Sequence, residues 1–160
     1  MGFVVPSFLK WVNSSVEDNV KAFFVNEIKL FDQTENCDPL LRMLNTKTWT
    51  LRNEIVRTLG AMNYNEAEPR FVQIYEVQPE YIKQNILTAV TGMHTGAGLG
   101  FLHEAYEKAD DMSTKLCALR CIHAYGEQGR ALFAQLKALT PTGFAAQLFA
   151  HVEHPLTNRS

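Results

Sequence analysis

The sequence contains no long uninterrupted apolar run. A membrane-spanning helix needs about 18 or more apolar residues in a row, and no stretch approaches this, so none of the chain is expected to cross a membrane. The apolar opening from Met1 to Val12 is short and lacks a basic start and a small-residue cleavage site, so it does not fit a signal peptide. It is expected to form a capping helix. The alternative is that the chain was cut from a longer, membrane-bound protein.

Cysteine is scarce, and charge of one sign does not predominate. The three cysteines, Cys37, Cys117 and Cys121, form an odd, sparse set, which indicates reduced thiols and favours a cytoplasmic location. The 15 basic and 17 acidic residues give a net charge of −2. Proteins that hold nucleic-acid phosphates need a basic face. A nucleic-acid partner is therefore not expected.

Sustained alternation of apolar and polar residues, the pattern of a half-buried strand, is also missing. Apolar residues recur instead at helical spacing, most clearly between Trp49 and Met62, where Gly60 is expected to close the helix. The apolar stripe of this helix consists of Leu51, Ile55, Val56 and Leu59. The whole chain is predicted to be helical, with short turns between the helices.

Turn and capping residues predict where each helix begins and ends. Ser113 is expected to cap one helix, and Phe71, Val72, Ile74 and Tyr75 are expected to face inward from another. Trp49 and Tyr81 stand at helix starts, where one of them could be an exposed interface anchor. The predicted helices cover residues 5–12, 16–31, a short segment after Asp38-Pro39, 49–62, 66–77, 79–92, 99–109, 113–126, 128–139 and 141–152.

The helices repeat. Gly60, Gly92 and Gly126 each close a longer helix, at spacings of 32 and 34 residues, and a shorter helix follows each of them. Such a two-helix unit cannot bury its apolar stripe alone, so neighbouring units must stack. About five units of this size would account for the chain.

The segment Leu51-Arg-Asn-Glu-Ile-Val-Arg-Thr-Leu-Gly60 resembles the second helix of HEAT repeats, V-R-x-x-A-x-x-A-L-G. The resemblance covers about residues 38–139, with more divergent ends. It implies an all-α, right-handed superhelix of about five HEAT-like helical hairpins. These would form a single domain over residues 1–160, either complete or cut from a longer protein.

The resemblance also implies a binding surface. In HEAT repeats the second helices line the concave face, and their polar positions would here contact a protein or peptide partner. The alternative is that these positions are ordinary solvated ones. The implied function is that of a non-catalytic scaffold without a cofactor. The candidate partner-binding residues are Asn53, Arg57, Gln84, Thr88, Arg120 and His123.

Several patterns that could carry chemistry are incomplete. The glycines from Gly96 to Gly100 follow a predicted helix, whereas a dinucleotide-binding loop follows a strand and has GxGxxG spacing. Cys117 and Cys121 share one helix face and His123 points elsewhere, so the cysteines are expected in the core and not at a zinc ion. HEAT-like deoxyhypusine hydroxylases bind two irons through several His-Glu pairs, whereas this chain has the single pair His103-Glu104. No catalytic, metal or cofactor site is therefore predicted.

Two other functions are compatible with the same resemblance. One is a HEAT-like enzyme, such as a DNA glycosylase or a bilin-lyase-type subunit, which a concave face rich in Lys and Arg around a buried carboxylate would favour. The other is a regulatory cytoplasmic domain of a larger, membrane-associated protein. A continuous reading frame beyond Met1 or Ser160 would favour that alternative.

Overall fold

The computed structural model describes Lys21, Ala22, Val25 and residues 37–155. Over that part of the chain the secondary structure is helical and includes no strand, which confirms the all-α prediction. None of the described helices is long and apolar enough to cross a membrane. The predicted helix over residues 5–12, most of that over 16–31, and the last five residues lie outside the described residues.

Residues 37–155 contain eight α-helices, and the longer ones agree with their predicted bounds to within a few residues. Short 3-10 turns at Met43–Asn45, Asn65–Ala67 and Tyr75–Val77 adjoin the shorter helices. The helix predicted over residues 66–77 is therefore an α-helix only over Glu68–Ile74, with a 3-10 turn at each end. The α-helices are α1 (Cys37–Arg42), α2 (Trp49–Ala61), α3 (Glu68–Ile74), α4 (Glu80–Met93), α5 (Gly98–Lys108), α6 (Met112–Ala124), α7 (Gly126–Leu139) and α8 (Phe144–Glu153).

The chain divides into two compact units, Met1–Met93 and His94–Ser160. In the first unit, α2 lies along α4, while α1 packs against α2 and α3 against α4. The predicted apolar stripe of α2 is buried throughout, each of its four side chains being 1% exposed or less. These residues meet a second buried stripe on α4, formed by Ile82, Ile86, Leu87 and Val90.

Gly60 brings α2 and α4 close together. A Cβ atom at this position would lie 2.6 Å from the Cβ of Ala89 on α4, nearer than side-chain atoms approach one another. Gly60 lies in the last turn of α2, which continues to Ala61 with Met62 as its C-cap. The glycine predicted to end the helix therefore also sets the distance between two helices.

In the second unit, α6 packs against α5, α7 and α8. The rings of Phe133 and Phe149 lie 5.2 Å apart, and the Tyr106 ring lies 6.2 Å from that of Phe149. A Cβ atom on Gly129 would lie 2.0 Å from the carbonyl oxygen of Ile122, so α6 and α7 also meet closely at a glycine. The buried side chains of α6 are Thr114, Ala118, Leu119, Cys121 and Ile122.

Three predictions about individual residues are wrong. Gly126 was expected to close α6, but α6 ends at Ala124 with Tyr125 as its C-cap, and Gly126 begins α7. Val72 was expected to face inward, but it is 40% exposed, whereas its neighbour Phe71 is fully buried. Ser113 was expected to cap α6, but the N-cap is Asp111, whose carboxylate accepts a hydrogen bond from the Thr114 amide at 2.6 Å. An Asp at the N-cap satisfies an amide that the first helical turn leaves unpaired.

Candidate functional site

The first unit contains an open cleft between α2 and α4, with a volume of about 320 Å³. Each helix contributes three residues to its walls, and they come from the C-terminal half of α2 and the middle of α4. The lining residues are Arg57, Gly60, Ala61, Asn85, Thr88 and Ala89. Two of them, Arg57 and Thr88, belong to the predicted partner-binding set.

Small residues keep the cleft open. Gly60, Ala61 and Ala89 provide half of the lining, and none has a side chain larger than a methyl group. The two helices meet at Gly60 and Ala89, where no longer side chain would fit between them. Ala89 is buried, so the packed contact between the two helices forms the floor of the cleft.

An asparagine pair joins the two helices beside this cleft. The Asn85 side-chain amide donates a hydrogen bond of 2.6 Å to the side-chain oxygen of Asn53, 32 residues earlier in the chain. A side-chain amide has two N–H donors and an oxygen with two lone pairs. The Asn85 amide therefore has hydrogen-bonding capacity beyond its bond to Asn53, and Asn53 supports it from the neighbouring helix.

Arg57 supplies the positive charge of the cleft. Its Nη1 atom donates to Glu54 Oε1 at 3.2 Å, in a pair whose side chains are 53% exposed for Arg57 and 18% for Glu54. The second Glu54 oxygen, Oε2, is buried and accepts no hydrogen bond from a described residue. A guanidinium has five N–H donors in a planar fork. The ion pair thus anchors one side of the guanidinium, and the more exposed Arg57 side chain keeps donors for a ligand.

Thr88 adds a hydroxyl group to the opposite wall. Its Oγ1 atom donates to the carbonyl oxygen of Gln84 at 3.0 Å, which leaves the hydroxyl oxygen able to accept. The Gln84 side chain donates to Glu80 along the same helix, also at 3.0 Å, and does not line the cleft. Of the four candidates in the first unit, Arg57 and Thr88 line the cleft, Asn53 supports it, and Gln84 lies outside it.

The other two candidates, Arg120 and His123, lie on α6 in the second unit. Arg120 is exposed to solvent. The His123 ring meets the Phe133 ring of α7 edge to face, with centroids 4.8 Å apart. His123 is therefore a packing residue between α6 and α7. Its role in partner binding stays a prediction.

Sequence reasoning missed the side chain that joins the two helices, Asn85. The signal was present, because Asn85 stands one 32-residue period after Asn53, which was a candidate. The small residues Gly60, Ala61 and Ala89 were missed for another reason. Polar side chains mark a binding surface in the sequence, but half of the residues that line this cleft have no side chain larger than a methyl group.

Both aromatic residues at helix starts are exposed, Trp49 by 54% and Tyr81 by 45%. Trp49 begins α2, and Tyr81 lies in the first turn of α4. The Arg52 guanidinium joins this region, because it donates to Gln78 Oε1 at 2.8 Å and to the Thr46 carbonyl oxygen. The first unit therefore presents aromatic surface at these helix starts in addition to the cleft.

The other patterns that could carry chemistry have structural partners. The Gly96 amide donates to the Tyr125 hydroxyl at 3.2 Å, so this part of the glycine-rich turn is tied to the end of α6. His103 lies 3.4 Å from Glu107, and Glu104 pairs with Lys108, whose hydrogen bond lowers the pKa of the carboxyl group. Across residues 37–155, no three His, Cys, Asp or Glu side chains are grouped so as to hold a metal ion.

No protein-family model matches the chain, and no curated protein matches it in sequence. The structural features that bear on function are therefore those of the molecule itself. The lining of the cleft offers a cation, an amide group and a hydroxyl group, which are groups that bind a ligand.

Proposed function

We propose that the protein is a non-catalytic scaffold that binds a protein or peptide on the face where α2 and α4 lie side by side. The observation that carries this proposal is the open cleft between these helices, with Arg57, Asn85 and Thr88 around small residues. The chain is proposed to be a right-handed array of HEAT-like helical hairpins, with the cleft on its concave face. Its three free cysteines fit a cytoplasmic location.

The packing within each unit supports the repeat arrangement. In the first unit, α2 and α4 are the longer helices of successive repeats and lie along each other, while the short helix α3 packs on α4. In the second unit, α8 packs on α6, and α5 on α6. Contacts between equivalent helices of neighbouring hairpins are those that a stack of such units requires.

The cleft suits an extended peptide better than a compact cofactor. Its volume lies at the lower end of the range for ligand pockets, about 300–1,000 Å³, so it could hold one or two residues of a longer segment. An extended peptide presents backbone N–H and C=O groups that need partners once they leave water. The Asn85 amide and the Thr88 hydroxyl can supply such partners.

Selection from a random dodecapeptide library on the full-length protein would test this function. The strongest peptide would be synthesised, and its Kd measured for the wild type and for Thr88→Phe, which fills the cleft from an exposed position on α4. Val72→Phe, at an exposed position on α3, adds a ring away from the cleft. We expect Thr88→Phe to raise the Kd about tenfold or more, which equals about 1.4 kcal/mol, and Val72→Phe to leave it within about twofold.

Circular dichroism would show that both variants are folded. Equal Kd values for Thr88→Phe and the wild type would show that the peptide does not bind in this cleft. Failure of the library to yield any peptide that binds the folded protein would overturn the proposed function.

A further inference from the structure

We infer that the cleft between α2 and α4 selects an acidic side chain of the bound peptide, an aspartate or glutamate, with Arg57 as the cation that recognises it. The inference rests on the proposed peptide-binding function and specifies which ligand chemistry the cleft takes. It starts from the charge of the lining. Arg57 is the one charged residue among the six that line the cleft, and no carboxylate is among them.

The ion pair with Glu54 does not cancel this preference. Among the described residues, the Arg57 guanidinium makes one hydrogen bond, from Nη1 to Glu54 Oε1 at 3.2 Å. Glu54 is the more buried residue of the pair, with 18% of its side chain exposed against 53% for Arg57. Glu54 therefore holds the guanidinium through one hydrogen bond, and the remaining N–H donors of the fork stay available to a second carboxylate.

Asn85 supplies a second donor for the same carboxylate. One N–H of its side-chain amide is held by Asn53 Oδ1 at 2.6 Å, which fixes the orientation of the group. The other N–H belongs to a residue that lines the cleft, as Arg57 does. A carboxylate accepts several hydrogen bonds at once, and bonds from charged donors are about twice as strong as neutral ones. A carboxylate between Arg57 and Asn85 would thus use both walls of the cleft.

A phosphate group shares this anionic chemistry, but the lining favours a carboxylate. Proteins recognise phosphorylated side chains mainly through clusters of arginines, whereas here a single arginine lines the cleft. A basic side chain would meet Arg57 as a like charge. An aspartate or glutamate therefore fits the single guanidinium and the neutral amide best.

The test is a parallel peptide selection on the full-length wild type, on Arg57→Gln and on Arg42→Gln. Arg42 is a matched control, because it is also an exposed arginine paired with an acidic residue of its own helix, Asp38, at 2.6 Å. We expect the wild type and Arg42→Gln to enrich peptides with an Asp or Glu at one fixed position. We expect Arg57→Gln to lose this enrichment and Arg57→Lys to recover part of it.

A double-mutant cycle gives the quantitative result. In the strongest wild-type peptide, replacing the enriched Asp or Glu by Asn or Gln should raise the Kd about tenfold for the wild-type protein. The same replacement should change the Kd less than about twofold for Arg57→Gln, because the partner charge is already gone. Equal penalties for both proteins would overturn the inference.

The remaining outcomes separate this inference from the proposed function. The selected peptides could bind Thr88→Phe more weakly than the wild type and yet carry no fixed acidic residue and bind Arg57→Gln as tightly as the wild type. This result would overturn the acidic preference and leave the scaffold proposal intact. A phosphoserine peptide that binds about tenfold more tightly than its glutamate counterpart would assign the cleft to phosphate instead. If no peptide binds the folded protein, both proposals fail.

Discussion

At the scale of single residues, Gly60 determines how closely α2 and α4 can approach. A Cβ atom there would lie 2.6 Å from the Ala89 Cβ and 3.1 Å from its Cα, so Gly60→Ala must push the helices apart. We expect this variant to lower the free energy of unfolding by about 1–3 kcal/mol, the usual cost of overpacking. Chemical denaturation followed by circular dichroism would measure it.

The control for this variant is Gly100→Ala in α5, where nothing lies within 4 Å of the added methyl group. Because alanine favours a helix more than glycine does, we expect Gly100→Ala to be neutral or to stabilise by up to about 1 kcal/mol. Equal changes in stability for the two variants would show that Gly60 is not a close-packed contact.

The sequence predicts burial well where apolar residues continue on one face of a helix for three turns. The stripe of α2 is the clearest case, because four apolar residues on one face leave a single orientation for the helix. Val72 was placed wrongly because α3 has only seven residues and buries a narrow face, which includes Glu68 and Phe71. Neighbouring residues of an α-helix lie about 100° apart, so Phe71 and Val72 could not both point to the centre of this face.

At the scale of single elements, the N-cap of α6 is Asp111 and not the predicted Ser113. The Asp111 carboxylate accepts a hydrogen bond from the Thr114 amide at 2.6 Å. Asp111→Ala should therefore lower the free energy of unfolding by about 1 kcal/mol, the typical value of an N-cap. Ser113→Ala, within the first turn of the helix, should change it less. Denaturation curves would measure the free energy of unfolding of both variants. A larger loss for Ser113→Ala than for Asp111→Ala would show that Ser113 is the N-cap.

The ends of α7 and α8 are joined by an ion pair that depends on pH. Lys137 Nζ lies 2.6 Å from Glu153 Oε1, and this hydrogen bond holds the pKa of Glu153 below the ordinary value for glutamate. A lowered pKa in the folded state means that the pair stabilises the fold above the unfolded pKa of about 4.3. The contribution is lost as the pH falls through the folded pKa.

Replacing Glu153 by Gln tests this link. We expect Glu153→Gln to have a lower melting temperature than the wild type at pH 7, with the difference closing as the pH falls below 4 or so. Glu104→Gln is the matched control, because Lys108 also lowers the pKa of Glu104, but both residues belong to α5. A pair within one helix contributes little. If the difference in melting temperature between Glu153→Gln and the wild type stays constant with pH, the ion pair with Lys137 is not its cause.

For the candidate site, the structure places the six predicted residues in different surroundings. Arg57 and Thr88 both line the cleft between α2 and α4. His123 was predicted from the same repeat pattern, yet its ring packs on Phe133. The third copy lacks the apolar-basic start of the motif, with Cys117-Ala118 at that position. Polarity at one position does not specify whether a side chain faces solvent or a neighbouring helix.

At the scale of the whole molecule, the prediction of one domain over residues 1–160 can be tested by the cooperativity of unfolding. Both tryptophans, Trp11 and Trp49, belong to the first unit, so their fluorescence reports on that unit, whereas circular dichroism reports on all helices. In an array whose repeats stabilise their neighbours, the two signals change together. We expect coincident fluorescence and circular dichroism transitions for the wild type.

A charge in the core of the first unit makes this test stricter. Leu59 is fully buried in α2, so Leu59→Asp removes a core side chain and buries a carboxylate, at a cost of about 3 kcal/mol or more. Leu139→Asp, at a position that is 80% exposed in the second unit, should have little effect. If the chain is one stacked array, Leu59→Asp lowers the midpoint of both signals together. If a circular dichroism transition persists at the wild-type midpoint while the fluorescence transition moves, the two units unfold independently, and the single-domain prediction is wrong.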